Sequence, residues 1–220
     1  MVVIGVTGGV GTGKTTVANM MKRLGAVVLD ADVIAHQVME PKRLAWREIV
    51  KAFGKGVLND DQTVNRRRLA GLIFRDEALR RRLERIIHPR VLRQIKSRLR
   101  RLRRPSTSQA LVEGRRSRRT RAVVLDIPLL VEAGAQELVD ALVVVTAPPE
   151  VQRRRLKDKF GWTDKETRAR IDAQWDLAAK AALADAVVDN ADGVETTRTQ
   201  VRRLWNRLVP RNNKSSISRR

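Results

Sequence analysis

The spacing of apolar positions divides the chain into short buried strands and amphipathic helices. Residues 2–6 carry no polar side chain, as expected of a strand covered on both faces in a parallel sheet. Similar runs return at 26–29, 122–125 and 141–145, with a shorter one at 186–188. Between them, apolar residues recur at helical spacing. One set is Val17, Ala18, Met20, Met21 and Leu24, another is Val33, Ile34, Val38 and Met39, and a third is Ala45, Trp46, Ile49, Val50 and Phe53. Gly25 suits the end of the first helix and Pro41 ends the second. Further helices are expected at 66–74 and 78–87, then at 150–159, from Thr163 onward, and at 194–208. Thr163 with Glu166 spells a capping box. His88 and Pro89 interrupt the pattern, and a kink or helix restart is expected there because a residue before proline avoids helical backbone. Strands alternating with helices predict an α/β fold with a parallel sheet. About ninety mostly helical residues separate the second and third strands, more than a crossover needs, so a helical insertion is expected at 41–101.

Composition changes this picture little. A chain of 220 residues can bury a real core. It opens directly on the first strand, so no signal peptide is expected, and no apolar run nears the roughly 20 residues of a membrane span. There is no cysteine, which excludes disulfides and thiolate metal sites, and the two histidines argue against a histidine zinc site. A cytoplasmic location is the expectation. The net charge of +22 is unevenly placed. Residues 96–121 hold eleven basic residues and one acid, Glu113, and 211–220 hold four basic residues and no acid. The stretch at about 102–121 has no periodicity and is expected to be a mobile, solvated excursion, with a disordered basic tail at 209–220. Aromatic residues for base stacking are scarce and tyrosine is absent, so a nucleic-acid partner is not expected despite the charge.

Candidate chemistry centres on residues 8–16, GGVGTGKTT, which satisfy G-x-x-x-x-G-K-[ST] between a strand and a helix. Such glycines let backbone N–H groups turn inward around phosphate oxygens, and the following helix adds its N-terminal dipole. Lys14 is placed to reach the outer phosphates of a nucleoside triphosphate, and the Thr15 hydroxyl to join a Mg²⁺ shell. Acids close two later strands. Asp30 and Asp32 follow the second, where an N-cap and a functional role are both open for Asp30. Asp126 follows the third, and either holds a metal-bound water or caps a helix. Arg153, Arg154 and Arg155, ahead of a helix–glycine–helix segment at about 153–170, suit a small lid over the triphosphate.

Taken together, these segments resemble the dephospho-coenzyme A kinase family, from residue 1 to about 208. The matching stretches are GVTGGVGTGKTTVA, LDADVIAHQVM, RRRLAGLIF with IIHPRV, LDIPLLVEAG, and RIDAQWDLAAKAALADAVVDN, in that order. The resemblance implies a P-loop kinase-like parallel sheet flanked by helices, with a core at 1–40 and 122–208, a helical substrate-binding insertion and a small lid. It implies transfer of the ATP γ-phosphoryl group, with Mg²⁺, to the ribose 3′-hydroxyl of dephospho-coenzyme A. Gly9, Val10, Gly11, Thr12, Gly13, Lys14, Thr15 and Thr16 would bind ATP, with Gln174 nearby. Asp32 would be the general base, and Lys14 and Arg155 would stabilise the transferring group. His88, Pro89, Pro128 and Leu129 would lie near the acceptor, and Thr15 and Asp126 near the metal. Two departures stand out: Lys159 replaces a second lid arginine, and Asn65 replaces a usual aspartate. Two rival readings remain at this point: another small P-loop kinase acting on a nucleoside or nucleotide, and an ATP-dependent nucleic-acid-binding switch.

Overall fold

The computed structural model describes residues 1–104, 120–128, 130–132 and 134–210. Most of the basic excursion, nearly all of the tail, and Leu129 lie outside the described residues. Strand β1 (Val2–Gly8) leads through the glycine-rich loop into α1 (Lys14–Arg23). Then follow β2 (Val27–Asp30), α2 (Ala31–Val38), α3 (Leu44–Phe53), α4 (Arg66–Arg75) and the long α5 (Glu77–Arg103). The chain returns through β3 (Ala122–Asp126), β4 (Ala141–Thr146), α6 (Pro149–Phe160), α7 (Asp164–Asp172), α8 (Leu177–Ala182), β5 (Ala186–Asp189) and α9 (Val194–Leu208). The sheet order is β2-β3-β1-β4-β5. β1 runs parallel to both neighbours, with Val6 opposite Asp126 and Gly8 opposite Val145, and β4 runs parallel to β5. The strands outlast their apolar runs because ladder pairing continues through the polar residues at their C-terminal ends. Thr7, Gly8, Asp126 and Asp189 are thereby fixed in the sheet itself.

The described residues form two compact units, Met1–Leu29 with Pro105–Arg220, and Asp30–Arg104. In the first, Ile4, Val6, Val124, Val143 and Val145 meet Val17 and Met21 of α1 and Val201, Leu204 and Trp205 of α9 in one apolar cluster. Each large side chain buried there contributes about 1.5–3 kcal/mol. Val3, Val123, Leu125 and Val144 are equally buried, which explains runs that do not alternate. Gly5 is required in β1, because a Cβ there would meet Leu130 Cδ1 at 2.8 Å and Val139 Cγ1 at 2.9 Å.

In the second unit α5 packs against α2, α3 and α4. Its buried residues Leu83, Ile86, Val91, Ile95 and Leu99 keep helical spacing on both sides of Pro89. Of the two alternatives expected at His88 and Pro89, the helix restart is corrected: α5 is one helix with the proline inside it. Proline's fixed φ suits a helix, and its cost there is one lost amide donor and a crowded carbonyl one turn back. Packing along both halves outweighs that cost, and Arg90 Nη1 donates to the neighbouring Ile86 carbonyl. Leu102 and Arg103 also belong to α5 rather than to the excursion.

Candidate active site

The phosphate loop is shaped by backbone that side chains rarely adopt, with φ of +76° at Gly11 and +90° at Gly13. Gly13 is the N-cap of α1 and supplies no side chain to cap it, so the first-turn N–H groups face an anion site. Lys14 Nζ bends back over the loop and donates to the Gly8 and Gly9 carbonyls at 3.0 and 2.8 Å. The Thr15 hydroxyl donates to Asp126 Oδ2 at 3.2 Å. Asp126 is 5% exposed at the end of β3, so sheet register and loop bring these two oxygens together. A hydroxyl and a carboxylate form a hard donor set that fits a divalent cation shared with phosphate oxygens.

The outside of the loop is braced by residues that follow β4 and β5. Gln174 Oε1 accepts from the Val10 amide at 2.8 Å. Asn190 Nδ2 donates to the Thr12 carbonyl at 2.7 Å, while Asn190 Oδ1 accepts from the Thr197 hydroxyl at 2.9 Å. Arg155 Nη2 donates to the Asn190 carbonyl at 2.8 Å, and Nη1 donates to the Gly11 and Thr12 carbonyls at 3.4 and 3.3 Å. The buried Gln152 holds the Ala147 carbonyl at 2.8 Å, beside Gly9. A Cβ on Gly11 would strike the backbone of Gln152, and one on Gly13 would lie 2.2 Å from Asn190 Nδ2. The first two turns of α6 thus form a wall against the loop. Asn190, Gln152 and Thr197 were not singled out from sequence. An available signal for Asn190 was its place just past an apolar strand, like that of the acids after β2 and β3.

Behind β3, Pro128 accepts from the Thr7 hydroxyl at 3.0 Å, and Glu132 pairs with Lys180 of α8. The Lys180 side chain is fully buried, and among the described residues the two groups have only each other. Beyond α6, Gly161 takes φ +66° and Thr163 with Glu166 forms the expected capping box. The Thr163 backbone amide, then its hydroxyl, hold the Glu166 carboxyl below its usual pKa. Lys159 lies 5.1 Å above the Phe160 ring, Phe160 stacks on Trp162 at 4.5 Å, and the Arg170 guanidinium covers Trp162 at 4.0 Å.

In the helical unit Asp30 caps α2, accepting from the Asp32 and Val33 amides at 2.8 and 3.1 Å. Asp32 stands exposed in the first turn of α2. One turn on, the His36 pKa is lowered, first by partial desolvation and then by the Arg66 charge, with Asp32 and Asp30 opposing. Asn65 caps α4 through the Arg68 amide at 3.0 Å, a task an amide performs as well as a carboxylate. His88 and Pro89 line a cavity of about 640 Å³ with Arg81, Glu84 and Arg85.

A parallel five-stranded sheet flanked by helices, with this loop at the end of its central strand and Thr15 against Asp126, defines a P-loop kinase. The dephospho-CoA kinase family model (CoaE) matches residues 2–196. The chain is 42% identical to the dephospho-CoA kinase of Geobacillus kaustophilus over 198 residues, 90% of this chain and 92% of that one. It superposes on TT1252 from Thermus thermophilus with a TM-score of 0.75 and 31% identity, covering 94% of this chain and 97% of that one. The dephospho-CoA kinase from Campylobacter jejuni shares the fold, with a TM-score of 0.65, 24% identity, and coverage of 94% and 96%. The chain belongs to the dephospho-CoA kinase family.

Proposed function

We propose that this chain transfers the γ-phosphoryl group of ATP to the ribose 3′-hydroxyl of dephospho-coenzyme A, giving coenzyme A and ADP. The observation that carries this reading is the phosphate loop itself, with Lys14 over its mouth and Thr15 bonded to Asp126. Phosphoryl transfer asks the protein mainly for positioning and charge stabilisation. Backbone amides of Gly11, Gly13, Lys14 and Thr15 hold the phosphate oxygens, since those of Val10, Thr12 and Thr16 donate within the protein. Lys14 leaves the loop carbonyls to follow the charge on the transferring group. Thr15 and Asp126 would hold Mg²⁺, which would neutralise phosphate charge. Gln174, Asn190 and Arg155 keep the loop in shape by occupying its outward amide and carbonyls. Arg155 also sets a permanent positive charge beside the phosphates.

Asp32 acts as general base on the acceptor hydroxyl. Its carboxylate makes no hydrogen bond among the described residues, so it can accept that proton, and Arg66 adds a positive charge for the acceptor's own phosphates beside a His36 that is held neutral. The groove at His88 and Pro89 receives another part of the acceptor. The segment after Gly161 closes over the triphosphate and excludes water. Among the described residues no helix is long and apolar enough to cross a membrane, and the reading places the reaction in the cytoplasm.

The test is ADP release coupled to a detecting enzyme, with the purified chain, ATP and Mg²⁺. Dephospho-coenzyme A should stimulate release at least a hundredfold over ATP alone. Equal stimulation by a nucleoside, or stimulation by RNA or DNA without response to dephospho-coenzyme A, overturns the assignment.

A further inference from the structure

Helices α2 and α5, with α3 and the turn before it, line an open groove of about 390 Å³ whose polar lining is Lys42, Arg43, Arg47, Arg90, Arg93 and Gln94. Five of these are cations and none is an acid. A cavity of about 310 Å³ shares Arg43 and Gln94 and adds Arg98 and one acid, Glu40. Two of the cations have partners: Arg43 pairs with Glu40 at 2.7 Å, and Arg90 pairs with Glu48. Lys42, Arg47 and Arg93 have no acidic partner among the described residues, and Arg90 Nε is buried without an acceptor. Exposed cations gathered on one concave surface raise a positive potential that attracts an anion.

The backbone adds a second sign. Lys42 holds φ +70°, a conformation that suits glycine, yet a lysine stands there at the rim of the cavity. The N-terminus of α3 opens on the same space with no side-chain cap and no acid in its first turn, which adds favourable potential for an anion.

The groove is separate from the residues assigned to the acceptor. At 100° per residue, Arg90, Arg93 and Gln94 lie roughly 140–240° around α5 from His88. Val38, which lines both cavities, lies roughly 240° around α2 from Asp32. We propose that this groove is a second anion site, which binds a free small molecule carrying two or more phosphoryl groups. Its volume suits such a compound. Lys42, Arg47 and Arg93 supply the unpaired charge, and Arg fork geometry suits phosphate oxygens.

Isothermal titration of the full chain with inorganic pyrophosphate at low salt tests this. The wild type should bind at two sites. Lys14→Ala should remove one, and the double variant Lys42→Gly with Arg93→Ala should weaken the other at least tenfold. Glycine accepts φ +70°, so Lys42→Gly should leave Tm unchanged or higher, which separates loss of binding from loss of fold. The KM for dephospho-coenzyme A should be unchanged in the double variant. A single site abolished by Lys14→Ala, or two sites untouched by the double variant, overturns the proposal. A tenfold rise in the acceptor's KM overturns the separateness of the site, because the groove would then hold the acceptor's own diphosphate. The binding measurements stand whether or not the acceptor proposed above is the right one.

Discussion

Lys180→Met tests the buried Glu132–Lys180 pair. Lys180 is fully buried and Glu132 nearly so, and neither has another partner among the described residues. Removing one member leaves a carboxylate with no counter-charge, a change that costs about 3–5 kcal/mol. For a chain of this size each kcal/mol moves Tm by about 2–4 °C, so Tm should fall by about 6–20 °C. The double variant Glu132→Leu with Lys180→Met removes both charges at similar volume and should recover most of that loss, since an apolar pair can equal a buried ionic one. A double-mutant cycle read by urea unfolding, followed by Trp fluorescence, gives a coupling energy of several kcal/mol if the pair is dry. The pair joins the turn after β3 to α8, which follows Gln174, so the double variant should show lower kcat at recovered Tm. A loss below about 1 kcal/mol for Lys180→Met would refute the reasoning, because a solvated surface pair is worth no more than that.

Asp32→Asn should lower kcat by about 10²–10⁴-fold with ATP affinity little changed, the range expected for losing a general base; a rise in acceptor KM alone would make Asp32 a binding residue. Asn190→Ala leaves the Thr197 hydroxyl without its acceptor and the Thr12 carbonyl with only the longer Arg155 bond, and should cost about 1–3 kcal/mol of stability and raise the ATP KM, as read by melting and steady-state kinetics. Arg155→Ala should reduce kcat/KM at least a hundredfold and Lys159→Ala only a few-fold, because Arg155 holds three loop-side carbonyls while Lys159 rests on Phe160; the reverse order would make Lys159 the working lid cation. His36 has a depressed pKa in the fold, so the unfolded chain binds its proton first as pH falls, and stability should drop on acidification from about 6.5 to the folded value. His36→Gln should flatten Tm against pH in that window, and an unchanged slope would count against the assignment.

Much of the fold was legible because local pattern and tertiary structure agree. The helices expected at 44–53 and 194–208 have those bounds, and the Thr163 capping box forms as spelled. The phosphate loop was legible because its geometry needs glycines at fixed spacing. Pro89 misled because a proline's local cost is visible in sequence, whereas packing by Val91, Ile95 and Leu99 against other helices is not. The loop's outer brace was legible only in part: the family resemblance pointed to Gln174 and Arg155 but not to their bonds with the loop, and Asn190 was missed. Gln174, Arg155 and Asn190 reach the loop through one or two hydrogen bonds each, spanning more than 140 residues, and such bonds leave no periodic trace. The pairing of Glu132 with Lys180 is hidden in the same way: each residue reads as an ordinary charge until the fold removes water from both.

That outer brace has a consequence for synthesis. The shape of the loop is held by a bond to Thr12 from Asn190, a residue made 178 positions later. Its strand, β1, pairs with β3 and β4, which are also made much later. At about 5–20 residues per second, ribosomes need roughly 9–36 s to reach Asn190 after Thr12 has been added. During that interval the nascent chain displays glycines and an apolar strand with no partner. Tight ATP binding is therefore expected only once Asn190 has been made and β1 has paired with β3 and β4, which makes nucleotide a late clamp on the sheet rather than a seed for it.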